Sequence, residues 1–599
     1  GGWQEVPMHH VDNDRWAGAF DLTENAMWEY AVLAFPDPYS SWIDEIEKKL
    51  AADLDVSSEL LEGRLIIEET LARANLPDTR VIQGALDAAE SGGQRDAVNQ
   101  LTAPVVAETI LRNRSRLGAA RSETLRVSVD RVRARFAAWY SMFPRSAGTV
   151  EGQSATFDDV IRQLPRLEGM GFDVLYFTPI HPIATTNRKG RNNSLVAEPG
   201  DPGVPYAIGS PDGGHDAIEP SLGTLDDFRR LVAAAADRGM EIALDVALQA
   251  SPDHPWVAEH PEWFFIRPDG TIKYAENPPK KYQDIYPLNF NNQNWRALWD
   301  EILRVILHWV DNGVRTFRVD NPHTKPTAFW EWLIAEVHRD HPDVIFLSEA
   351  FTRPKVMKSL AKAGFAQSYT YFTWRNFKQE IVEYGTELTQ TEMKEYFRGN
   401  FFTNTHDILP YILQEGGRPA FMTRFALAAT MSSVYGIYSG FELCEATPVP
   451  GKEEYLDSEK YEFKVWDWDR PGNITDFISR VNAIRREHPA LQEYENLRFQ
   501  QADDDNILSY SKSSADGEDT VLVVLNLDPF QAHGTTVSLP DELFASDDNA
   551  QIQVHDLLSG EPLLWTGRRQ YLHLDPHDNP VMFFGLRPWY HQQYAEISY

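Results

Sequence analysis

Cysteine is almost absent: Cys444 is the only one in 599 residues, which excludes an internal disulfide and matches a reducing compartment. No stretch of about 20 apolar residues occurs, so no membrane-spanning helix is expected. The opening residues, GGWQEVPMHH, are polar and carry no apolar signal-peptide core; together these features predict a cytoplasmic protein. Positive charge is also short. With 56 Lys and Arg against 89 Asp and Glu, the formal net charge is −33, which opposes nucleic acid and anionic membranes as partners. A neutral substrate such as a sugar fits this field. An anionic small molecule fits only where a local cluster of Lys, Arg or Asn overrides it. No Gly-rich phosphate fingerprint follows an early strand, no HExxH spacing surrounds the histidines, and the aspartates of ADDDN lack EF-hand spacing, so neither cofactor nor metal is expected.

What is present is 42% hydrophobic and 12% aromatic residues, enough for several cores over about three or four domains. The first stretch alternates around aromatic residues, notably Trp16 to Phe20 and Met27 to Phe35, and reads as strands of a small, incomplete β-domain over residues 1–42, continued by 119–133. Over 43–118 the pattern turns helical, with apolar residues three and four apart in 43–54, 57–74 and 98–115 and a polar stretch, ESGGQRD, between the last two. A dimerisation bundle and an ordinary packed subdomain both fit that pattern.

A repeated unit follows. Thr156 opens a helix that Gly171 ends before FDVLYFTP, and Thr224 opens another that Gly239 ends before MEIALDVA; Thr to Gly spans fifteen residues both times. Thr with Asp three residues on is a capping box, and Gly stops helices. Trp295 to Asn312 leads into VRTFRVD and Phe329 to His338 into VIFLSEAF; further strands are read in ARFAAWY, FFTNTHD and SSVYGIYS. Many helix-strand units predict an α/β fold over 134–496, a (β/α)8 TIM barrel with loop insertions, rather than a doubly wound open sheet. From 497 to 599, NILSYSK, DTVLVVLNL and TTVSLP alternate between polar turns and predict a C-terminal antiparallel β-sandwich.

In GVRTFRVD, Arg318 and Asp320 share one face of a strand, which fits both a structural ion pair and a carboxylate held as a nucleophile. Glu349 ends FLSEA and Asp407 follows FFTNTH, so three carboxylates lie at matching strand ends, where barrel active sites form. Such a set equips retaining glycosyl transfer: Asp320 as nucleophile, Glu349 as acid/base, Asp407 as a holder of sugar hydroxyls while the ring flattens. Asp245, Gln249, His323 and His406 converge on the same pocket, the two histidines as donors to sugar hydroxyls.

These residues carry a resemblance. GVRTFRVD, the Glu of FLSEAF, NTHD and LDVALQ look like the four short regions of the α-amylase superfamily, glycoside hydrolase family 13. ALQASPDHPW, HPEWFFIRPDGTIKYAENPPKKYQDIYP, FRVDNPHTKPTAFWEWLIAEV and FAQSYTYFTWR narrow it, resembling the GlgE family of maltose-1-phosphate maltosyltransferases along nearly the whole chain. The resemblance implies transfer of a maltosyl unit from α-maltose 1-phosphate to the non-reducing end of an α-1,4-glucan, with retention and release of phosphate. It assigns phosphate contacts to Asn277, Lys280, Tyr282 and Asn321, and sugar contacts to Lys189, Gln249, Lys460 and Tyr461; Arg318, beside Asp320, and His406, as a hydroxyl donor, are counted with the substrate-binding residues. It also implies a homodimer built on the N-terminal sandwich and helical insert, of which the chain carries an incomplete sandwich, and no calcium, because the first region lacks the Asn that binds it in many amylases. Tyr206 stands where members often have Trp, and Val204 where some have Ser. The rivals are a hydrolytic α-amylase and a catalytically silent glucan-binding protein.

Overall fold

A computed structural model of the chain describes residues 2–278, 280–544 and 547–588. The chain divides into two compact units, 1–129 and 130–599. In the first, strands pair as short ribbons, His9–Asp12 with Arg15–Ala17, Met27–Tyr30 with Leu125–Ser128, and Leu33–Ala34 with Ala120–Arg121. Its buried core lies in the helical part, around Trp42, Ile46, Ile67, Ile82 and Ile110. Two sequence expectations need correction there. A helix not read from the sequence, Leu76–Ala89, lies between the second expected helix and the polar ESGGQRD, with Asn75 capping it through the Asp78 N–H. The helix read over 98–115 is two helices, Gln94–Leu101 and Pro104–Arg112. Pro104 has no N–H to continue the first helix and a φ suited to the first turn of the second.

The second unit is built on eight parallel strands closed into a barrel: β1 Ala137–Met142, β2 Val174–Phe177, β3 Glu241–Val246, β4 Thr316–Asp320, β5 Ile345–Glu349, β6 Gln367–Tyr369, β7 Gly399–Phe402 and β8 Val434–Tyr438. The strands are near-continuous apolar runs because helices cover them outside and side chains fill them inside. Helix α1, Phe157–Gly169, and α2, Leu225–Ala236, begin at the predicted capping boxes. Asp159 and Asp227 each accept the N–H of their capping Thr at 2.7 Å. Gly171 and Gly239 then take φ of 82° and 70°, the left-handed turn that ends each helix cheaply only without a side chain. On β4 the period of two sends Phe317 and Val319 to the helical shell and Arg318 inward. The only barrel strand not read from the sequence is β6, three residues whose buried Gln367 donates to Ala134 O at 2.9 Å.

Beyond the barrel, Leu497–Gln500, Ile507–Ser513, Thr520–Asn526, Val581–Pro588, Gln551–Asp556 and Pro562–Thr566 form a six-stranded antiparallel sheet in that spatial order. A ribbon of His533–Ser538 with Arg569–Leu574 accompanies it, and Val537, Leu574, Leu522 and Ile552 share its core. The last part of the region read as the C-terminal sandwich, 589–599, lies outside the described residues.

Candidate active site

Asp320 ends β4 and Glu349 ends β5, and the two are partners across the parallel ladder. Arg318, only 2% exposed, sits between the rings of Tyr176 on β2 and Tyr369 on β6, 5.6 and 5.7 Å from their centres. Its Nη1 donates to Asp320 Oδ1 at 2.9 Å and reaches both oxygens of Asp245 on β3 at 3.0 Å, while Nη2 lies 3.6 Å from Glu349 Oε1. Asp245 also accepts from the hydroxyls of Tyr176 and Tyr206, each at 2.6 Å. One buried cation therefore gathers three carboxyl groups from adjacent strands. The desolvation cost of burying it is offset by these carboxyl oxygens and ring faces, which engage both terminal nitrogens and leave Nε without a partner.

Environment separates these groups. Burial pushes the Glu349 carboxyl up to about 8; the charge of Asp320 adds to the rise, and Arg318 and the Asn321 N–H oppose it. Glu349 is thus mostly protonated at neutral pH. Burial also raises Asp245, against Arg318. Asp407 goes the other way. Its partial desolvation in the pocket would raise it, but the charges of Lys460 and His406 outweigh that and hold it well below the usual carboxylate range. Lys460 Nζ donates to Asp407 Oδ1 at 2.6 Å, and His406 Nε2 lies 3.1 Å from Oδ2 and 2.9 Å from the Tyr206 hydroxyl.

Asn321 has a second role that sequence reasoning missed. Its φ of 44° and ψ of 53° are left-handed, a region Asn enters more readily than other residues with a side chain. That turn aims its N–H at Glu349 Oε2, 3.0 Å away, while its Nδ2 lies 3.4 Å from Asp320 Oδ2. The residue after the strand end therefore tethers both carboxyl groups.

The other expected contacts lie on loops at the same barrel end. Ala275–Asn277 pairs with Lys280–Tyr282, setting Asn277 opposite Lys280. Lys280 Nζ donates to Glu454 Oε1 at 2.7 Å, and that bond raises its pKa against the opposing effect of burial. Lys189 is buried against the same ribbon, donating to Lys281 O at 3.0 Å with Nζ 5.9 Å from the Tyr282 ring. Burial lowers its pKa, with Asp284 opposing. Gln249 donates to Tyr206 O at 3.1 Å, and Tyr461 packs on the cluster of Val204 and Tyr206. Direct contacts thus join Arg318, Asp320, Asn321 and Glu349, and join His406, Asp407 and Lys460; Lys280 is held instead by Glu454. Tyr176 and Glu454 were not singled out from the sequence. Tyr176 left one signal, a phenol on the inward face of a buried strand, whose hydroxyl needs a partner.

Solved structures share the barrel fold. A maltogenic α-amylase from Thermotoga neapolitana superposes with a TM-score of 0.59 at 20% identity, over 76% of this chain and 99% of that one. An α-amylase from Lactobacillus plantarum does so at 0.56 and 21%, over 76% and 100%. Two family models match more specifically: domain N/S of α-1,4-glucan:maltose-1-phosphate maltosyltransferase over residues 1–131, and the GLGE C-terminal domain over 499–586. Proteins named α-1,4-glucan:maltose-1-phosphate maltosyltransferase are 51% identical over 587 residues in Cereibacter sphaeroides and 52% over 597 in Rhodospirillum rubrum. Each alignment covers 98% of this chain and 87% of the relative. The chain belongs to the α-1,4-glucan:maltose-1-phosphate maltosyltransferase family.

Proposed function

We propose that this protein moves a maltosyl unit from α-maltose 1-phosphate to the non-reducing end of an α-1,4-glucan, releasing phosphate. The observation that carries the reaction type is the single guanidinium of Arg318 touching Asp320 and lying beside Glu349 on neighbouring strands. Parallel strands lie about 4.8 Å apart, so strand-end partners favour the close carboxyl pair of about 5–5.5 Å found in retaining enzymes over the wider inverting pair.

In this reading an Asp320 oxygen attacks the anomeric carbon as the bond to the phosphate oxygen breaks, and Glu349 gives that oxygen its proton. The product is a β-maltosyl ester of Asp320. Glu349, now a carboxylate, takes the proton from the acceptor's 4-hydroxyl. That oxygen then displaces Asp320, and two inversions restore the α configuration. Asp407, kept ionised by Lys460 and His406, holds hydroxyls of the flattened ring. Asn277, Lys280, Tyr282 and Asn321 receive the phosphate through charge-assisted and neutral hydrogen bonds; Lys189, Gln249, Lys460 and Tyr461 hold the maltosyl unit. The same reading makes the working enzyme a cytoplasmic homodimer, which sedimentation and cell fractionation test.

Incubation with maltose 1-phosphate and glycogen, following inorganic phosphate and chain length together, tests the function. Phosphate release with chains growing by two glucose units supports transfer. Reducing sugar from starch without donor marks a hydrolase, and no turnover a binding protein. Lys280→Ala should impair use of maltose 1-phosphate far more than use of α-maltosyl fluoride; equal losses overturn the phosphate assignment.

A further inference from the structure

The segment after β8 carries two adjacent glutamates with different duties. Glu453 is an anchor: its Oε2 accepts from Trp374 Nε1 at 3.1 Å, its Oε1 from the Tyr411 N–H at 3.2 Å, and its carbonyl from the Leu409 N–H at 2.9 Å. The Glu454 carbonyl accepts from the Val449 N–H at 2.7 Å, so the backbone here is pinned on both sides. The Glu454 side chain, 41% exposed, is not. Its Oε1 takes the Lys280 ammonium at 2.7 Å, and its Oε2 lies 3.8 Å from Lys452 Nζ. A second cation therefore waits beside the first.

We propose that Glu454 is a counter-ion that tunes donor affinity, holding Lys280 when no phosphate is bound and moving to Lys452 when the donor's phosphate takes Lys280. This rests on Lys280 being a phosphate contact, as proposed above. A carboxylate left 2.7 Å from the ammonium would sit within about 5–6 Å of a phosphate oxygen bound to the same nitrogen. At an effective dielectric constant of about 20, like charges at that range repel strongly compared with the worth of an exposed ion pair. Moving the carboxylate toward Lys452 relieves this repulsion while keeping it paired with a cation. On product release the return of Glu454 to Lys280 displaces phosphate, so the site is specific for phosphate without retaining it.

The test compares Glu454→Gln, Lys452→Met and the double variant, with Lys280→Ala as reference. Glu454→Gln removes the competitor, so the KM for maltose 1-phosphate and the inhibition constant of inorganic phosphate should both fall about two- to fivefold, the range of a partly exposed pair. The KM for α-maltosyl fluoride should not change. Lys452→Met removes the alternative partner and should raise both phosphate-dependent constants, an effect that disappears in the double variant. If Glu454→Gln leaves the phosphate constants unchanged or raises them, Glu454 merely positions Lys280 and the inference falls. If Lys280→Ala itself spares maltose 1-phosphate, the phosphate assignment has failed instead.

Discussion

Arg318 Nη1 lies 3.0 Å from each carboxylate oxygen of Asp245, inside the barrel where neither side chain is exposed beyond 2%. Arg318 is thereby fixed before any substrate arrives, and through it Asp320 is fixed too. Removing one partner of a buried pair costs about 3–5 kcal/mol where the other charge is left unpaired; Asp320 still pairs with Arg318 here, so a loss of about 3 kcal/mol is expected. Asp245→Ala should destabilise the fold by that amount in chemical unfolding. Asp245→Asn keeps the shape and an oxygen acceptor and should cost less. A loss under about 1 kcal/mol for the alanine variant would mean Arg318 does not depend on Asp245.

Glu349 makes both activity and stability depend on pH. Its folded pKa of about 8 stands above its ordinary value of 4.5, so the folded state binds this proton more tightly than the unfolded chain. The stabilisation is complete below pH 4.5 and is lost as pH rises to about 8. Activity that needs the protonated acid should decline through the upper end of the same window. Glu349→Gln should abolish most turnover and flatten the melting temperature between pH 5 and about 8 relative to wild type. A parallel pH dependence of melting in the two proteins would assign the titration to another group.

Asn321→Gly and Asn321→Ala separate the two duties of this residue. Glycine adopts the left-handed turn at no steric cost, whereas alanine there costs about 1–2 kcal/mol. Both lose the carboxamide. Both variants lose the Nδ2 contact to Asp320 and should therefore show a raised KM for maltose 1-phosphate and a lower kcat; the alanine variant should also melt lower than the glycine variant and lose further kcat, as the N–H moves off Glu349. If glycine restores full wild-type kinetics, the carboxamide does not touch the phosphate.

How far the sequence could be read follows from how each feature is built. Barrel helices announced themselves because Thr156, Asp159 and Gly171 act locally, and β4 because Phe317 and Val319 alternate with Arg318. Strand β6 did not, since Gln367 and Ser368 satisfy themselves through partners distant in the chain, such as Ala134, which no local pattern encodes. Helix 76–89 was hidden by its mixed surface, with Leu76 exposed and burial confined to Asp78, Ile82, Ala85 and Leu86. At the site, strand-end carboxylates were visible as residue types at topological positions. The Asp245–Arg318 pairing, the left-handed Asn321 and the reach of Glu454 to Lys280 are three-dimensional facts, joining residues 73 and 174 positions apart in two of the three cases.

Lys460→Met tests the electrostatics of Asp407 directly. The lysine donates to Asp407 Oδ1 at 2.6 Å, and its charge, with that of His406, overcomes the effect of partial desolvation on the carboxyl. A depressed folded pKa gives stability and an ionised carboxylate above the ordinary value of 3.8, both lost only as pH falls further. Without the lysine, Asp407 should take up its proton at a higher pH. With α-maltosyl fluoride as donor, so that no donor phosphate titrates, the acid limb of kcat/KM should move upward in the variant. Activity at neutral pH should fall about tenfold or more, the worth of a charge-assisted hydrogen bond. An unmoved acid limb with reduced activity would show instead that Lys460 acts on the sugar alone and that His406 suffices to keep Asp407 ionised.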